Sequence, residues 1–382
     1  DSLSPLSYAN GSDIILVSTS PSESFYANSH SLANDHFVPS FDPLTNGELL
    51  SDGRYLYLFT PNPRVDGWFG SSYNWIRYDS ATGNTSNVVD NQLEDYLYEL
   101  QVGARVAFQD GIYAQLSSRD ENGIYVIRRD NPTPIKIVDI PIGTSIHRLT
   151  QHEDWIYAEI PWSDIYDSTA QEIVRFRLNG GSYETVAEVV PSEGIFPADR
   201  IQRGLKILGS TGNGLLFVEG TQITSGPILA YSTVSTSITL KVHTRSGEIV
   251  DIPQSNFFTT PGWSFDFNSM LRRNSVYSWQ NGGIIADAVF FKAMVTDEAP
   301  IGSGGMGGST GRKVFVSDGS AEGTFEVVSR GNYPVVNNAW RVGAINNKLL
   351  FENHHFYPSE NSSGGGIYSL QPRGTETLYL NP

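Results

Sequence analysis

Seven histidines and no cysteine occur in 382 residues. Proton transfer and metal ligation would therefore rest on imidazoles and carboxylates rather than on thiolates. Two histidines are adjacent, His354 and His355, in a run that continues through Phe356 and Tyr357 towards Glu360. Neighbours on an extended chain point to opposite sides, so one of the pair is expected to face a site. It would serve there as a general base or as a ligand to a divalent metal. A metal needs three or four converging groups, and His36 with Asp35 are the expected partners of His354. If the chemistry is proton abstraction beside a carboxylate, His354 or His355 is the base and Tyr166 or Tyr357 the acid. Arg64 then holds the substrate carboxylate. A glycoside hydrolase would instead set two carboxylates across the scissile bond, and Asp66 and Asp164 are the candidates.

The same stretches are rich in aromatics. Trp68 and Tyr73 follow Asp66, and Trp162 precedes Asp164 and Asp167. Aromatic faces beside carboxylates suit sugars, whose C–H faces stack on rings while their hydroxyls take planar hydrogen-bonding partners. The competing reading is structural: the aromatics cap strand edges, and the histidines are ordinary hydrogen-bonded loop residues.

These residues need a scaffold, and the chain indicates its kind. Apolar residues make up 39% and charged residues only 17%, with 37 glycines. That composition fits many short strands joined by turns. Helical periodicity is nearly absent, and short apolar or alternating runs bounded by Gly, Asn and Asp recur in a fixed order. A strand, a tight polar turn and a second strand appear seven times. The turns fall at Asn10-Gly11-Ser12, Asp52-Gly53, Asp110-Gly111, Glu153-Asp154, Gly212-Asn213-Gly214, Asn281-Gly282-Gly283 and Asn346-Asn347. A second hairpin follows in six units, at 75–89, 124–140, 173–190, 238–252, 314–328 and 367–380. Two hairpins make a four-stranded sheet of the kind that forms a propeller blade. The expected fold is a single all-β propeller domain over residues 1–382, with seven four-stranded blades and an irregular first blade. There only 36–41 offers a second hairpin. Six blades with an N-terminal extension is the alternative.

In that fold the turns inside the hairpins lie on one face of the ring, and the other connections lie opposite. The long connections are 60–74, 161–171, 219–237, 292–312 and 353–366. Long loops on a rigid scaffold gather function, so the site is expected on their face.

Residues Lys313-Val314-Phe315-Val316-Ser317-Asp318-Gly319-Ser320-Ala321-Glu322-Gly323-Thr324 resemble a bacterial extracellular repeat that reads roughly E-L-W-x-S-D-G-T-x-x-G-T. The resemblance covers about a dozen residues and implies an exported, propeller-like protein, without implying an activity. Asp318 lacks the alternating carboxylates of a calcium loop, and an Asx turn accounts for it. The Gly-rich segment 302–311 lacks the lysine and strand-loop-helix setting of a phosphate loop.

A formal charge of −16 repels nucleic acid and anionic membrane surfaces. A secreted, periplasmic or cell-surface location is expected from the missing cysteines and from a start at Asp1, as in a processed chain. No stretch is long and apolar enough to span a membrane. The leading functional expectation is a recognition module that binds a glycan or protein partner through its long-loop face. The alternative is a polysaccharide-degrading enzyme, a β-elimination lyase or glycoside hydrolase, working on the same face.

Overall fold

Four-residue to eight-residue runs of Val, Ile, Leu, Phe and Tyr, cut by two-residue polar turns, favour pairing with their neighbours in sequence, and among the described residues they do so. The computed structural model describes residues 101–108, 111–117, 120–128, 133–161, 170–189, 199–225, 232–253 and 310–326, and elsewhere little beyond the strands named below. Side chains are described chiefly between residues 104 and 326.

Among the described residues the strands form seven antiparallel sheets. The first joins β1 (Leu6–Asn10), β2 (Asp13–Val17), β3 (Ala27–Ser31) and β4 (Asp35–Val38). The second joins β5 (Glu48–Ser51), β6 (Tyr55–Pro61), β7 (Tyr73–Asp79) and β8 (Thr85–Asn87). The third joins β9 (Gln101–Phe108), β10 (Gly111–Ser117), β11 (Asn122–Arg128) and β12 (Ile135–Asp139). The fourth joins β13 (Arg148–His152), β14 (Trp155–Ile160), β15 (Glu172–Arg177) and β16 (Glu184–Glu188). The fifth joins β17 (Asp199–Thr211), β18 (Gly214–Ser225), β19 (Ser232–Thr244) and β20 (Ile249–Ile252).

The sixth sheet has β21 (Trp263–Phe265), β22 (Tyr277–Ser278) and β23 (Ile284–Ile285) all paired along one edge of β24 (Ala288–Asp297). It is completed by β25 (Thr310–Ser317) and β26 (Phe325–Glu326). The seventh joins β27 (Ala339–Ile345), β28 (Lys348–Tyr357), β29 (Ser362–Arg373) and β30 (Thr377–Asn381). The six second hairpins expected from the sequence are all present.

Three expectations need correction. The first sheet has a regular second hairpin, β3 with β4, in which Ser29 faces His36 and His30 faces Asp35. Its strand Ala27-Asn28-Ser29-His30-Ser31 carries almost no apolar signal, so only backbone pairing reveals it. In the sixth sheet the first turn lies between Ile285 and Ala288, beyond the Asn281-Gly282-Gly283 cluster. The first strand there is broken into three pieces laid end to end along β24. The connections 219–237 and 353–366 are largely strand, and 292–312 is strand at both ends: β18 runs on to Ser225, β28 to Tyr357 and β24 to Asp297, with β25 beginning at Thr310.

Neighbouring sheets pack face to face, which explains the continuous apolar runs. Strands buried on both faces lose the polar alternation of half-exposed ones. Leu215 and Phe217 pack with Tyr157, Ile173, Leu205 and Ile207 between the fourth and fifth sheets. On the same strand Leu216 and Val218 turn the other way, to Phe265, Phe291 and Phe315 between the fifth and sixth. Phe265 meets Phe315 edge to face, with centroids 4.9 Å apart at 67°, and Phe291 stacks on Phe315 at 5.5 Å and 19°, both favoured geometries. The third and fourth sheets enclose a third core built on Tyr113, Val126, Ile156 and Phe176. The first strands also touch in succession: β1 meets β5, β5 meets β9, β9 meets β13, and β13 meets β17. The contact continues from β17 to β24, and β27 meets β1.

The turn at Ser317–Thr324 has a structural logic for each polar residue. Asp318 Oδ1 accepts the Ser320 amide at 2.7 Å, which is the expected Asx turn. The Ser317 and Thr324 hydroxyls bond each other at 2.7 Å, and Ser317 Oγ also accepts the Gly319 amide at 3.1 Å. Gly319 has φ +88°, and a Cβ there would stand 2.7 Å from Thr211 Oγ1 of the adjacent sheet, so only glycine fits. Ser317→Ala is expected to cost about 1–2 kcal/mol in chemical denaturation, since it leaves buried groups short of a partner. A cost below about 0.3 kcal/mol would remove this role for the hydroxyl.

Candidate functional site

The residues singled out from sequence fall into two groups. Arg64, Asp66, Trp68, Trp162, Asp164 and Tyr166 lie outside the described residues. The others are placed by backbone. Tyr73 opens β7 opposite Pro61. Asp35 and His36 lie on β4, the outermost strand of the first sheet. His354, His355 and Tyr357 belong to β28, where they face Gly365, Gly364 and Ser362 across the ladder. The pair of histidines is therefore strand, not loop. Among the described residues no group of three or more His, Asp or Glu is arranged to hold a metal ion. No helix among them is long and apolar enough to cross a membrane.

The connections between second and third strands all leave the sheets on the same side as the connections between sheets. On that side the fifth sheet is drawn out. Its strands β17, β18 and β19 have 13, 12 and 13 residues, against 5, 6 and 6 for the equivalent strands of the fourth sheet. The extra six to eight residues reach about 20–25 Å beyond the neighbour at the rise of a β-strand. In the seventh sheet β28 and β29 form a similar ribbon of 10 and 12 residues.

The densest chemistry among the described residues lies in the joint between the fourth and fifth sheets. Every second residue of β14 faces this joint. Glu159 is fully buried there; its Oε1 accepts the Ile207 amide at 2.6 Å and its Oε2 lies 3.4 Å from Lys206 Nζ. Arg148 Nη1 donates to the Ile207 carbonyl at 2.9 Å. The free edge of β17 thus finds its ladder partners in the side chains of the adjacent sheet, which satisfies backbone groups that would otherwise be buried bare. Leu205 adds a main-chain bond across the same joint, its amide donating to the Ala170 carbonyl at 2.7 Å. Burial pulls the Arg148 guanidinium down to about 10, against the opposing pull of Glu159.

At the other end of the joint two histidines meet one tyrosine. His152 Nδ1 lies 2.7 Å from Ser210 Oγ, and its Nε2 is buried with no hydrogen-bond partner. Tyr157 Oη is 3.2 Å from His243 Nδ1, and the Arg175 guanidinium acts on the phenol as a nearby positive charge. Arg175 Nε in turn donates to Glu184 at 2.5 Å, and the Arg175 and Arg177 guanidiniums both lie over the Trp155 ring, at 4.2 and 4.1 Å. Burial lowers the pKa of both His152 and His243 and raises that of Tyr157. The His152–Ser210 contact is of the base-to-hydroxyl kind. With His152 only 5% exposed, it works inside the fold rather than on a bound molecule.

His152, Tyr157, Glu159, Lys206, Ser210 and His243 were not among the sequence candidates. The pairs are far apart in the chain, 86 residues for Tyr157 with His243 and 58 for His152 with Ser210. One signal was legible: Glu159 and Lys206 each sit inside an apolar run, where a charge demands a buried partner.

No protein-family model matches the chain, and no curated protein sequence matches it. Among solved structures it is similar to the β-propeller domain of the Trilobed protease from Pyrococcus furiosus, described as having an open velcro topology. The TM-score is 0.50 at 10% identity, covering 96% of this chain and 94% of that one. It is also similar to a prolyl endopeptidase, with a TM-score of 0.49 at 9% identity over 98% of this chain and 51% of that one. An oligogalacturonate lyase from Vibrio parahaemolyticus gives 0.48 at 9%, over 97% and 91%. At such identities the first likeness speaks to fold alone: the chain is an all-β protein of the β-propeller kind.

Proposed function

We propose that the seven sheets are the blades of one ring, closed between β1 and β27, and that the ring is a recognition module of an exported or cell-surface protein. It binds a glycan or a protein partner on the face that carries the long connections. The observation that supports this most is the asymmetry of the two faces. The hairpin turns inside the sheets are tight, whereas the opposite side carries the drawn-out ribbons of β17–β19 and β28–β29. The aromatic and acidic residues Trp68, Trp162, Asp66 and Asp164 of the connections on that face, with Tyr73 at the start of β7, supply the stacking and hydrogen-bonding chemistry. The net charge of −16 favours a neutral or cationic partner.

The test is size-exclusion chromatography of the protein with a panel of neutral and acidic polysaccharides, with and without a chelator. Co-elution with one polymer, with chain length unchanged, is the expected outcome, and Trp68→Ala with Trp162→Ala should abolish it. Shortening of any polymer would replace the recognition reading with the enzyme reading. Neither co-elution nor shortening would exclude the panel's glycans and leave a protein partner.

A further inference from the structure

We propose that the joint between the fourth and fifth sheets is a pH-sensitive seam, closed while His152 and His243 are neutral and loosened when either takes up a proton. The hydrogen-bond geometry accommodates only the neutral forms. With His243 neutral and Nδ1 unprotonated, the Tyr157 hydroxyl donates to it across 3.2 Å, while the Arg175 guanidinium acts on the same phenol as a nearby positive charge. A protonated Nδ1 is a donor. It would place an imidazolium and a guanidinium beside one phenol and turn the phenol proton away from its acceptor. His152 Nδ1 has Ser210 Oγ as its hydrogen-bond partner, and Nε2 has none. Its protonated form would carry a second N–H with nothing to receive it in a buried place.

Among the described residues, the acids that approach the added charge are already paired. His152 is approached by Glu153 on its own turn and by Arg245 at the end of β19, and these two already pair at 2.9 Å. His243 is approached by Arg175 from β15, by Glu184 from β16 and by His152, and Arg175 pairs with Glu184. Glu159 and Lys206 hold each other at the far end of the joint. The adjoining joints are built differently. The third-to-fourth core is apolar apart from the amides of Gln115 and Asn122, which bond each other and the carbonyls of Pro141 and Thr144. The fifth-to-sixth core is apolar and aromatic.

The direction follows from linkage. Folding depresses both histidines below their ordinary value of 6.5, so the opened form binds protons first as pH falls. The seam is fully closed above that value and weakens progressively below it, until the closed form itself protonates.

Hydrogen exchange of the intact protein at pH 7.5 and 5.5, expressed as protection factors, tests this. The Leu205 and Ile207 amides, whose bonds cross the seam, should lose protection by about ten- to hundred-fold at pH 5.5. Ile112 and Val126 amides in the third sheet should change by less than about three-fold. Unchanged protection at Leu205 and Ile207, or an equal loss at all four, overturns the proposal. In the pair His152→Asn with His243→Asn, the amide oxygen takes the place of Nδ1 and cannot protonate, so the acid response should vanish. A folded pair that keeps the response overturns the proposal, and if the pair fails to fold the wild-type comparison decides.

Discussion

Glu159→Ala should be among the most destabilising substitutions in the chain, by about 3–5 kcal/mol, read from urea or guanidinium denaturation. The cost has two parts. Ile207 loses the acceptor of its amide, and Lys206, 3% exposed, loses its carboxylate in a place that water does not reach. The buried pair is not itself a large source of stability, because desolvation offsets most of its attraction. Breaking one half of it is what costs. Glu159→Gln separates the parts, since it keeps an acceptor for Ile207 and removes the charge; an intermediate loss is expected. Arg245→Ala, which deletes an ion pair to Glu153 whose members are 62% and 48% exposed, should change stability by less than about 0.5 kcal/mol. If Glu159→Ala lies within about 1 kcal/mol of the parent, the buried assignment of this carboxylate is wrong.

Gly214→Ala is expected to follow closely, at about 3 kcal/mol. Gly214 begins β18 with φ +149°, and a Cβ there would lie 2.2 Å from the His243 carbonyl oxygen and 2.9 Å from its carbon. These are backbone atoms of β19, its partner in the ladder, so relief requires separating the two strands that carry His243 towards Tyr157. The amide of Gly214 also donates to Thr211 Oγ1 at 3.2 Å, which fixes the turn. Gly247 is the useful contrast. It has φ +88° with nothing within 4 Å of a Cβ, and asparagine tolerates that backbone region. Gly247→Asn should therefore stay within about 1 kcal/mol. Equal effects at the two glycines would mean that close approach of β19 is not what Gly214 provides.

Much of the architecture was legible because its signals are local. Asn10-Gly11, Asp52-Gly53, Glu153-Asp154 and Gly212-Asn213 mark hairpins by the φ angles they permit, and each stands between paired strands. Signals failed where pairing is carried by the backbone alone. Residues 27–31 are polar and form β3 all the same, because ladder bonds are made by main-chain groups common to every residue. The three pieces along β24 were hidden for a related reason: their order is set by β24, their common partner, and not by anything in the intervening segments. His354 and His355 lie in strand within the expected 353–366 connection, because glycines 364–366 pair with β28 through backbone bonds that any residue can make.

The sequence by itself determined an all-β chain with repeated hairpins, no thiol chemistry, a net acidic charge and a fold of the β-propeller kind. Composition, turn chemistry and charge are sums or short-range patterns, and these survive in one dimension. The tertiary structure alone decided which polar groups share a buried place. His152 with Ser210, Tyr157 with His243, and Glu159 with Ile207 and Lys206 are brought together by face-to-face packing of sheets whose strands lie tens of residues apart. Their chemistry depends on desolvation and on hydrogen-bond direction at that contact, and neither exists until the two sheets meet.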